Sequence, residues 1–243
     1  MDKKVSIILS TYNEVSVIED TINQILKNLQ NVEIVLVDDN SPDGTFEKVK
    51  KINNPNIKMY CRKKRGLGSA FLLGLINSSS NIVGWLDSNM GYLANRLPEM
   101  LDQLEKNDIV ILSRYVNGGS DKRSKQRVLS SKLINFFCRL ILTSNIKDYT
   151  SGIFLMKREV LLSSIPIGTG HGEFFIEFID NAYRKGFKIK EIPFLQFTDD
   201  KHGTSKTAPN LMKFVYLGLT YLIRIIFTII RRKKVFLRKK EEL

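Results

Sequence analysis

A chain of 243 residues, 43% of them hydrophobic, holds enough material for one large domain, or for one domain and an appendage. Its two cysteines, Cys61 and Cys138, belong to no CxxC and no Cys/His cluster, which argues against a zinc site or a disulfide framework and fits a reducing compartment. The formal charge of +13 gathers in Arg62-Lys63-Lys64-Arg65, in Lys122 to Arg139, and in the tail from Arg231 to Lys240. Such clusters suit nucleic acid, anionic lipid or a phosphorylated substrate, or are simply solvated. No recognition module accompanies them, so nucleic acid is not expected as a partner.

From Met1 the chain enters a strand-like segment without the small-residue cleavage region of a signal peptide, so the catalytic part is expected in the cytoplasm. Val5 to Thr11 reads as a buried strand, and Val17 to Leu29 has helical apolar spacing. Val32 to Val37 is the next strand, and Asn40 to Thr45 is a dense turn signal before a short helix at Phe46 to Ile52. Ile57 to Cys61 is a third strand, Gly66 to Ser78 a helix, and Ile82 to Leu86 a fourth strand that stops abruptly at Asp87. Pro98 suits a first helical turn, which predicts a helix over Leu97 to Glu105. Asp108 to Ser113 is strand again. This alternation predicts an α/β domain with a mainly parallel sheet, flanked by helices and extending to about residue 207.

Two later segments differ. Val128 to Leu142 is apolar over most of its circumference, with Lys132 and Arg139 on nearly one face. Leu211 to Ile230 carries a narrow polar stripe of Lys213, Thr220, Arg224, Thr228 and Arg231. About 20 mostly apolar residues can span a bilayer. Arg224 would then lie inside the hydrocarbon, at a cost of about 2.5–3.5 kcal/mol. An in-plane helix keeps Lys213 and Arg224 among headgroups, so residues 208–243 are expected to form an amphipathic, membrane-associated helix and basic tail. A spanning helix and a buried or oligomeric contact are the other readings.

In a parallel sheet, four groups meet at the carboxyl edge, where open α/β folds bind ligands: Ser10 to Glu14, Asp38-Asp39, Asp87-Ser88-Asn89, and Ser113-Arg114-Tyr115. Acids beside an arginine suit a phosphorylated ligand held partly through a divalent ion. Asp38 and Asp39 could equally just shape the turn that follows, and Asn13 could cap the next helix.

Thr11-Tyr12-Asn13-Glu14, the segment from Val37 to Thr45 (VDDNSPDGT), Arg65 to Ala70 (RGLGSA), Ser113-Arg114-Tyr115 and Ser151 to Phe154 together resemble the family 2 glycosyltransferases. Within these the chain is most similar to the dolichyl- and polyprenyl-phosphate sugar synthases, such as dolichol-phosphate mannose synthases, from about Val5 to Lys206. The resemblance implies a GT-A fold, a GDP- or UDP-hexose donor, a polyprenyl or dolichyl phosphate acceptor, and work at the cytoplasmic membrane face. A membrane-anchoring partner subunit is a further possibility.

By resemblance, Ser10, Tyr12, Glu14 and Asp39 contact the base and ribose. Asp87, Ser88 and Asn89 fall on the Asp-x-Asp that holds Mg²⁺ or Mn²⁺ against the donor diphosphate. Lys206 meets a phosphate from a closing loop. Arg114 acts in catalysis and, with Arg127 and Ser131, at the acceptor phosphate. A phosphate monoester is largely dianionic at neutral pH, so no general base is required, and His171 and His202 read as loop residues.

The chain departs from its relatives at several of these positions. Asn89 stands where a second acid is expected, Gly91-Tyr92 replaces a Gln-His pair, Glu173 aligns with a lysine, and Asp200 with an arginine. With Asp87 as the single charged ligand, the metal is held more weakly or lost. Two functions are therefore open: a hexosyltransferase, or a catalytically silent homologue that binds or scaffolds at the membrane.

Overall fold

The computed structural model describes residues 4–164, 172–197 and 218–231. Its strands are β1 (Val5–Thr11), β2 (Val32–Asp38), β3 (Ile57–Cys61), β4 (Ile82–Trp85), β5 (Ile109–Ser113), β6 (Ser120–Asp121), β7 (Phe154–Lys157), β8 (Ile189–Pro193) and β9 (Leu195–Gln196). The helices are α1 (Ile18–Asn28), α2 (Thr45–Ile52), α3 (Leu67–Asn77), α4 (Leu97–Gln103), α5 (Lys125–Ile141), α6 (Glu159–Ser163) and α7 (Phe174–Arg184), followed by α8 (218–231). A 3-10 turn, Gly91–Arg96, leads into α4.

Seven strands form one sheet in the order β3-β2-β1-β4-β7-β5-β8, and β6 pairs with β9 apart from it. All pairings in the large sheet are parallel except those of β7, which runs antiparallel between β4 and β5. β1, β2, β4 and β5 are near-continuous apolar runs because helices cover both faces, whereas β3 at the sheet's edge is only partly buried. On one face Ile7, Leu9 and Leu36 pack with Ile18, Ile22 and Ile25 of α1, and with Leu97 and Met100 of α4. On the other, Ile8, Val35, Val83 and Trp85 meet Phe71 of α3 and the aromatic row Phe174, Phe175 and Phe178 of α7. Phe71 and Trp85 meet edge to face with ring centroids 4.9 Å apart. The α/β architecture and its parallel order match the expectation, and the antiparallel β7 is an addition to it.

α8 differs from its expected setting. The stripe expected among lipid headgroups faces the protein: Arg224 Nη1 lies 3.4 Å and Arg231 Nη1 2.7 Å from the buried carboxylate of Glu177 on α7. Ile225 and Thr228 are buried there. Leu219, Leu222, Ile223, Ile226, Phe227 and Ile230 face outward. Helical periodicity separates two faces but does not say which one a domain covers, and Glu177 decides it by offering a buried charge that needs partners. Lys213 lies outside the described residues. Among the described residues no helix is long and apolar enough to cross a membrane.

At the amino edge of the sheet, Glu33 is buried against Lys58 (2.5 Å), Ser6 Oγ (2.5 Å), and the amide and hydroxyl of Ser79. Burial alone would raise its pKa, but the Lys58 ammonium and these donors outweigh it and bring the carboxyl down to about 2. A depressed carboxyl contributes stability above its unfolded pKa and loses it as pH falls toward the folded value. Between pH near 6 and near 3, urea unfolding should therefore show roughly 2 kcal/mol more loss in the native chain than in Glu33→Gln. Equal losses would assign the acid sensitivity elsewhere.

Candidate active site

Because β1, β2, β4 and β5 are parallel, their carboxyl ends share one edge, and the loops after them bring the four expected groups together. Residues from β1 and β2 are stitched first. Asp38 accepts hydrogen bonds from Thr11 Oγ1 (2.7 Å) and from the amide and hydroxyl of Ser41 (2.8 and 2.6 Å). Ser41 Oγ accepts from the amide of Asn13, Thr45 Oγ1 from that of Glu14, and Asp43 from that of Val15. Asn13 and Asn40 both take positive φ, a conformation asparagine tolerates. Asp38, Ser41, Asp43 and Thr45 thus shape the turn, and Asn13 does so through its backbone.

Asp39 is engaged differently. Arg62 Nε donates to it at 2.5 Å and the Gly66 amide at 2.9 Å, while the same guanidinium donates to Ser69 Oγ and Gly66 O. This arginine, one of a basic cluster in the sequence, is an internal strut that holds the Gly66 turn to β2. Beside it the Arg65 guanidinium lies 3.6 Å from the Tyr12 ring centroid and donates to the Tyr12 hydroxyl. Ser10 Oγ is buried with no hydrogen-bond partner among the described residues. Ser10 near the end of β1 therefore adjoins Tyr12, Glu14 and Asp39 on the loops that follow β1 and β2.

Asp87 lies two residues past β4. Its carboxylate accepts a long hydrogen bond, 3.3 Å, from Trp85 Nε1. Burial raises its pKa, and the Trp85 N–H together with the charges of Arg114 and Arg123 offsets this only in part. Ser88 is buried and its carbonyl accepts from Thr21 Oγ1 at 2.7 Å, whereas Asn89 is partly exposed. A Cβ on Gly91 would lie 2.7 Å from Thr21 Cα, so glycine is there to let the 3-10 turn approach α1. The Gln that the resemblance leads one to expect here would not fit without a shift of the turn.

A lone, poorly partnered carboxylate beside an amide carbonyl suits one side of a hard divalent ion whose other ligands come from a diphosphate. Among the described residues no group of three or more His, Cys, Asp or Glu could hold a metal alone. Asp87 and Asn89 thus fit a shared Mg²⁺ or Mn²⁺ site but not an all-protein cage.

Opposite stands an arginine cluster that sequence reading captured only partly. Arg114 is buried, with Nε and Nη2 on the two oxygens of Asp148 at 2.8 and 2.7 Å; its own amide donates to Asp148 and Nη2 also donates to Thr150 Oγ1. Burial lowers the Arg114 pKa, but Asp148 outweighs it and leaves the guanidinium more firmly protonated than usual. Asp121 accepts from Arg123 Nε and Nη2 (2.9 and 2.7 Å) and from the Tyr115 hydroxyl, and lies 3.7 Å from Arg114 Nη1. Arg123 Nη2 donates to Ser131 Oγ at 2.9 Å. Asn135 of α5 donates to Thr150 Oγ1 and accepts from the Tyr149 amide, which ties α5 to this cluster.

Asp121, Arg123 and Asp148 were not singled out from the sequence, where they read as loop charges with no periodic pattern. Tyr221 of α8 also reaches this neighbourhood: burial raises its pKa, and Glu173, Arg114, Arg123 and Asp87 all act on it. Glu173 is buried at the start of α7. Arg127 lies on the first turn of α5, partly buried. Lys206, Asp200, His171 and His202 lie outside the described residues.

A family model described as "Glycosyl transferase family 2" matches residues 6–163, well over half of the chain. A dolichol-phosphate mannosyltransferase of Pyrococcus furiosus is 34% identical over 201 residues, which cover 79% of this chain and 56% of the relative, so the chain spans little more than half of that protein's length. A polyprenol monophosphomannose synthase of Mycolicibacterium smegmatis is 29% identical, with 82% of this chain and 79% of the relative covered. Among solved structures, glucosyl-3-phosphoglycerate synthase of Mycobacterium tuberculosis, in complex with Mn²⁺, UDP and glucosyl-3-phosphoglycerate, superposes with a TM-score of 0.70 at 18% identity, covering 93% of this chain and 80% of the other, which speaks to the GT-A-like fold alone. With the family model matched over strands β1 to β7 and the acidic and arginine loops at their ends, the chain belongs to glycosyl transferase family 2.

Proposed function

We propose that the chain transfers a hexose from a GDP- or UDP-sugar to a polyprenyl or dolichyl phosphate at the cytoplasmic face of a membrane. The observation that carries this reading is the placement of Asp87, at the end of β4, within the field of Arg114 and Arg123, on a cluster tied to α5. One side suits a nucleoside diphosphate and the other a phosphate nucleophile. The P. furiosus and M. smegmatis relatives carry names of the same chemistry.

The step is a displacement at the anomeric carbon. An oxygen of the acceptor phosphate forms the new bond to C1, the bond from C1 to the donor diphosphate breaks, and the electron pair leaves with the nucleoside diphosphate. A dianionic phosphate needs no proton removed. The residues' work is therefore alignment and charge placement: the loops around Tyr12 and Asp39 orient the base, and the arginine cluster orients the acceptor. A divalent ion held by Asp87, Asn89 and the diphosphate would neutralise charge on the leaving group.

The membrane reading rests on two apolar faces. Leu129, Leu133, Phe136 and Leu140 of α5 are exposed, beside exposed Lys132 and Arg139. α8 turns a similar face outward. Contiguous apolar surface rimmed by basic residues suits an anionic bilayer, with or without an anchoring subunit. The silent-homologue reading has its own support in Asn89 and in the buried acid Glu173.

Purified protein with a panel of nucleotide sugars, Mn²⁺ and a short polyprenyl phosphate should transfer hexose. The rate should fall in acid as Asp87, whose pKa burial raises, and the acceptor phosphate take up protons. Absence of turnover with every donor, under conditions where Asn89→Asp gains it, would favour the silent homologue. Separately, Leu133→Glu with Phe136→Glu should weaken sedimentation with anionic vesicles by about tenfold or more. Undiminished binding would remove α5 from the membrane contact.

A further inference from the structure

We infer that Tyr221, carried into the site by α8, is a specificity-determining residue whose hydroxyl donates a hydrogen bond to the hexose being transferred, an assignment that rests on the glycosyl-transfer reading above. The sequence alone does not mark this tyrosine, which lies on a helix expected at the membrane.

Three sets of contacts fix where the hydroxyl stands. α8 is docked on α7 by Arg224 and Arg231, both on the buried Glu177 carboxylate, with Ile225 and Thr228 buried beneath it. The Tyr221 ring packs against the aromatic cluster of α3, β4 and α7. A Cβ on Gly172 would come 2.7 Å from the Tyr221 hydroxyl oxygen, so glycine there lets the phenol lie directly on the backbone that enters α7. Two residues on, the Phe174 ring meets Trp85 of β4 edge to face, with centroids 6.1 Å apart, and Trp85 Nε1 donates to Asp87. The hydroxyl is thereby brought to the carboxyl end of β4.

Charge decides what it meets there. Asp87 on the donor side, and Arg114 and Arg123 on the acceptor side, all act on the phenol, and Glu173 acts on it more strongly than any of them. In a displacement at C1 the hexose lies between the leaving diphosphate and the attacking phosphate, so a group in the field of both sides faces the sugar. The buried Glu173 carboxylate beside it disfavours either phosphate at this point and tolerates a neutral hydroxyl. Burial, and then Glu173, raise the Tyr221 pKa, and the two arginines offset this only in part, so the phenol keeps its proton. No hydrogen-bond partner for it is found among the described residues. A protonated phenol held by its ring offers one directed bond, and a sugar hydroxyl has lone pairs to accept it.

The test is calorimetric binding of UDP-glucose, UDP, GDP-mannose and GDP to the full chain with Mn²⁺, with thermal unfolding as a check on folding. Binding needs no turnover and so does not depend on the acceptor. Tyr221→Phe keeps the ring and should keep the unfolding midpoint. It should weaken the nucleotide sugar that the native chain binds by about three- to tenfold and leave the parent nucleotide unchanged. Gly172→Ala, whose methyl must push the hydroxyl aside, should weaken the same ligand and spare the nucleotide, and it carries the test alone if Tyr221→Phe does not fold. Where transfer is active, both variants should lower kcat/KM for the donor and leave the acceptor KM in place.

A folded variant that binds the nucleotide sugar as tightly as the native chain, or that loses sugar and nucleotide alike, overturns the assignment of Tyr221 to the hexose and leaves the transferase reading standing. A rise in the acceptor KM alone would also overturn it, by moving the hydroxyl to the acceptor. A native chain that binds none of the four ligands overturns both.

Discussion

The ion pair between Arg114 and Asp148 is the constraint around which the acceptor half of the molecule is arranged. Asp148 is fully buried and takes the Nε–Nη2 edge of the guanidinium together with the Arg114 and Thr150 amides, so each lone pair has a donor. Removing one partner from such a pair costs about 3–5 kcal/mol, because the other charge is left stranded in low dielectric. Through Thr150 the pair reaches Asn135 and hence α5, and through Asp121 it reaches Arg123 and Ser131. The end of β5, the segment before β7 and the helix with an apolar outer face therefore hold one geometry. The more exposed Arg123 and Ser131 are positioned by this buried pair.

A comparable division operates on the donor side. Asp38 and Arg62 are spent on holding loops together, while Tyr12, Asn89 and the end of Asp87 are partly open. Among the described residues Asp87 has one long hydrogen bond, and its pKa is raised by burial. A carboxylate in that condition favours a cation or a proton, and Asn89 beside it supplies oxygen without charge. On the proposed reading, metal affinity in this chain depends on the diphosphate that shares the ion. Gly91 belongs to the same economy of space, because the turn that carries it leans directly on Thr21.

How much of this could be read from sequence differs by element for physical reasons. β1 was legible to the residue, because a strand buried on both faces is a continuous apolar run bounded by polar turns, and β3, a partly buried edge strand, was legible as a short run between turn signals. β7, only four residues long and antiparallel, carries no mark of its direction. The meeting of Ser10–Glu14, Asp39, Asp87 and Arg114 followed from parallel order alone. Arg62, Asp121, Arg123 and Asp148 were not legible as site groups, since their roles come from partners 23 to 34 residues away or from exposure after folding. α8 shows the same limit: its polar stripe was visible, but Glu177, which turns that stripe inward, sits in an apolar helix where a single acid is easily passed over.

The central claim is a donor site in which one carboxylate, one amide oxygen and the nucleoside diphosphate together hold the metal. Mn²⁺ binding followed by electron paramagnetic resonance, with and without UDP or GDP, tests it most directly. Mn²⁺ alone is expected to bind weakly, to bind at least about tenfold more tightly when one of the two nucleotides is present, and to lose that gain in Asp87→Asn. Mn²⁺ affinity indifferent to both nucleotides, or a nucleotide-dependent gain that survives Asp87→Asn, would contradict the account.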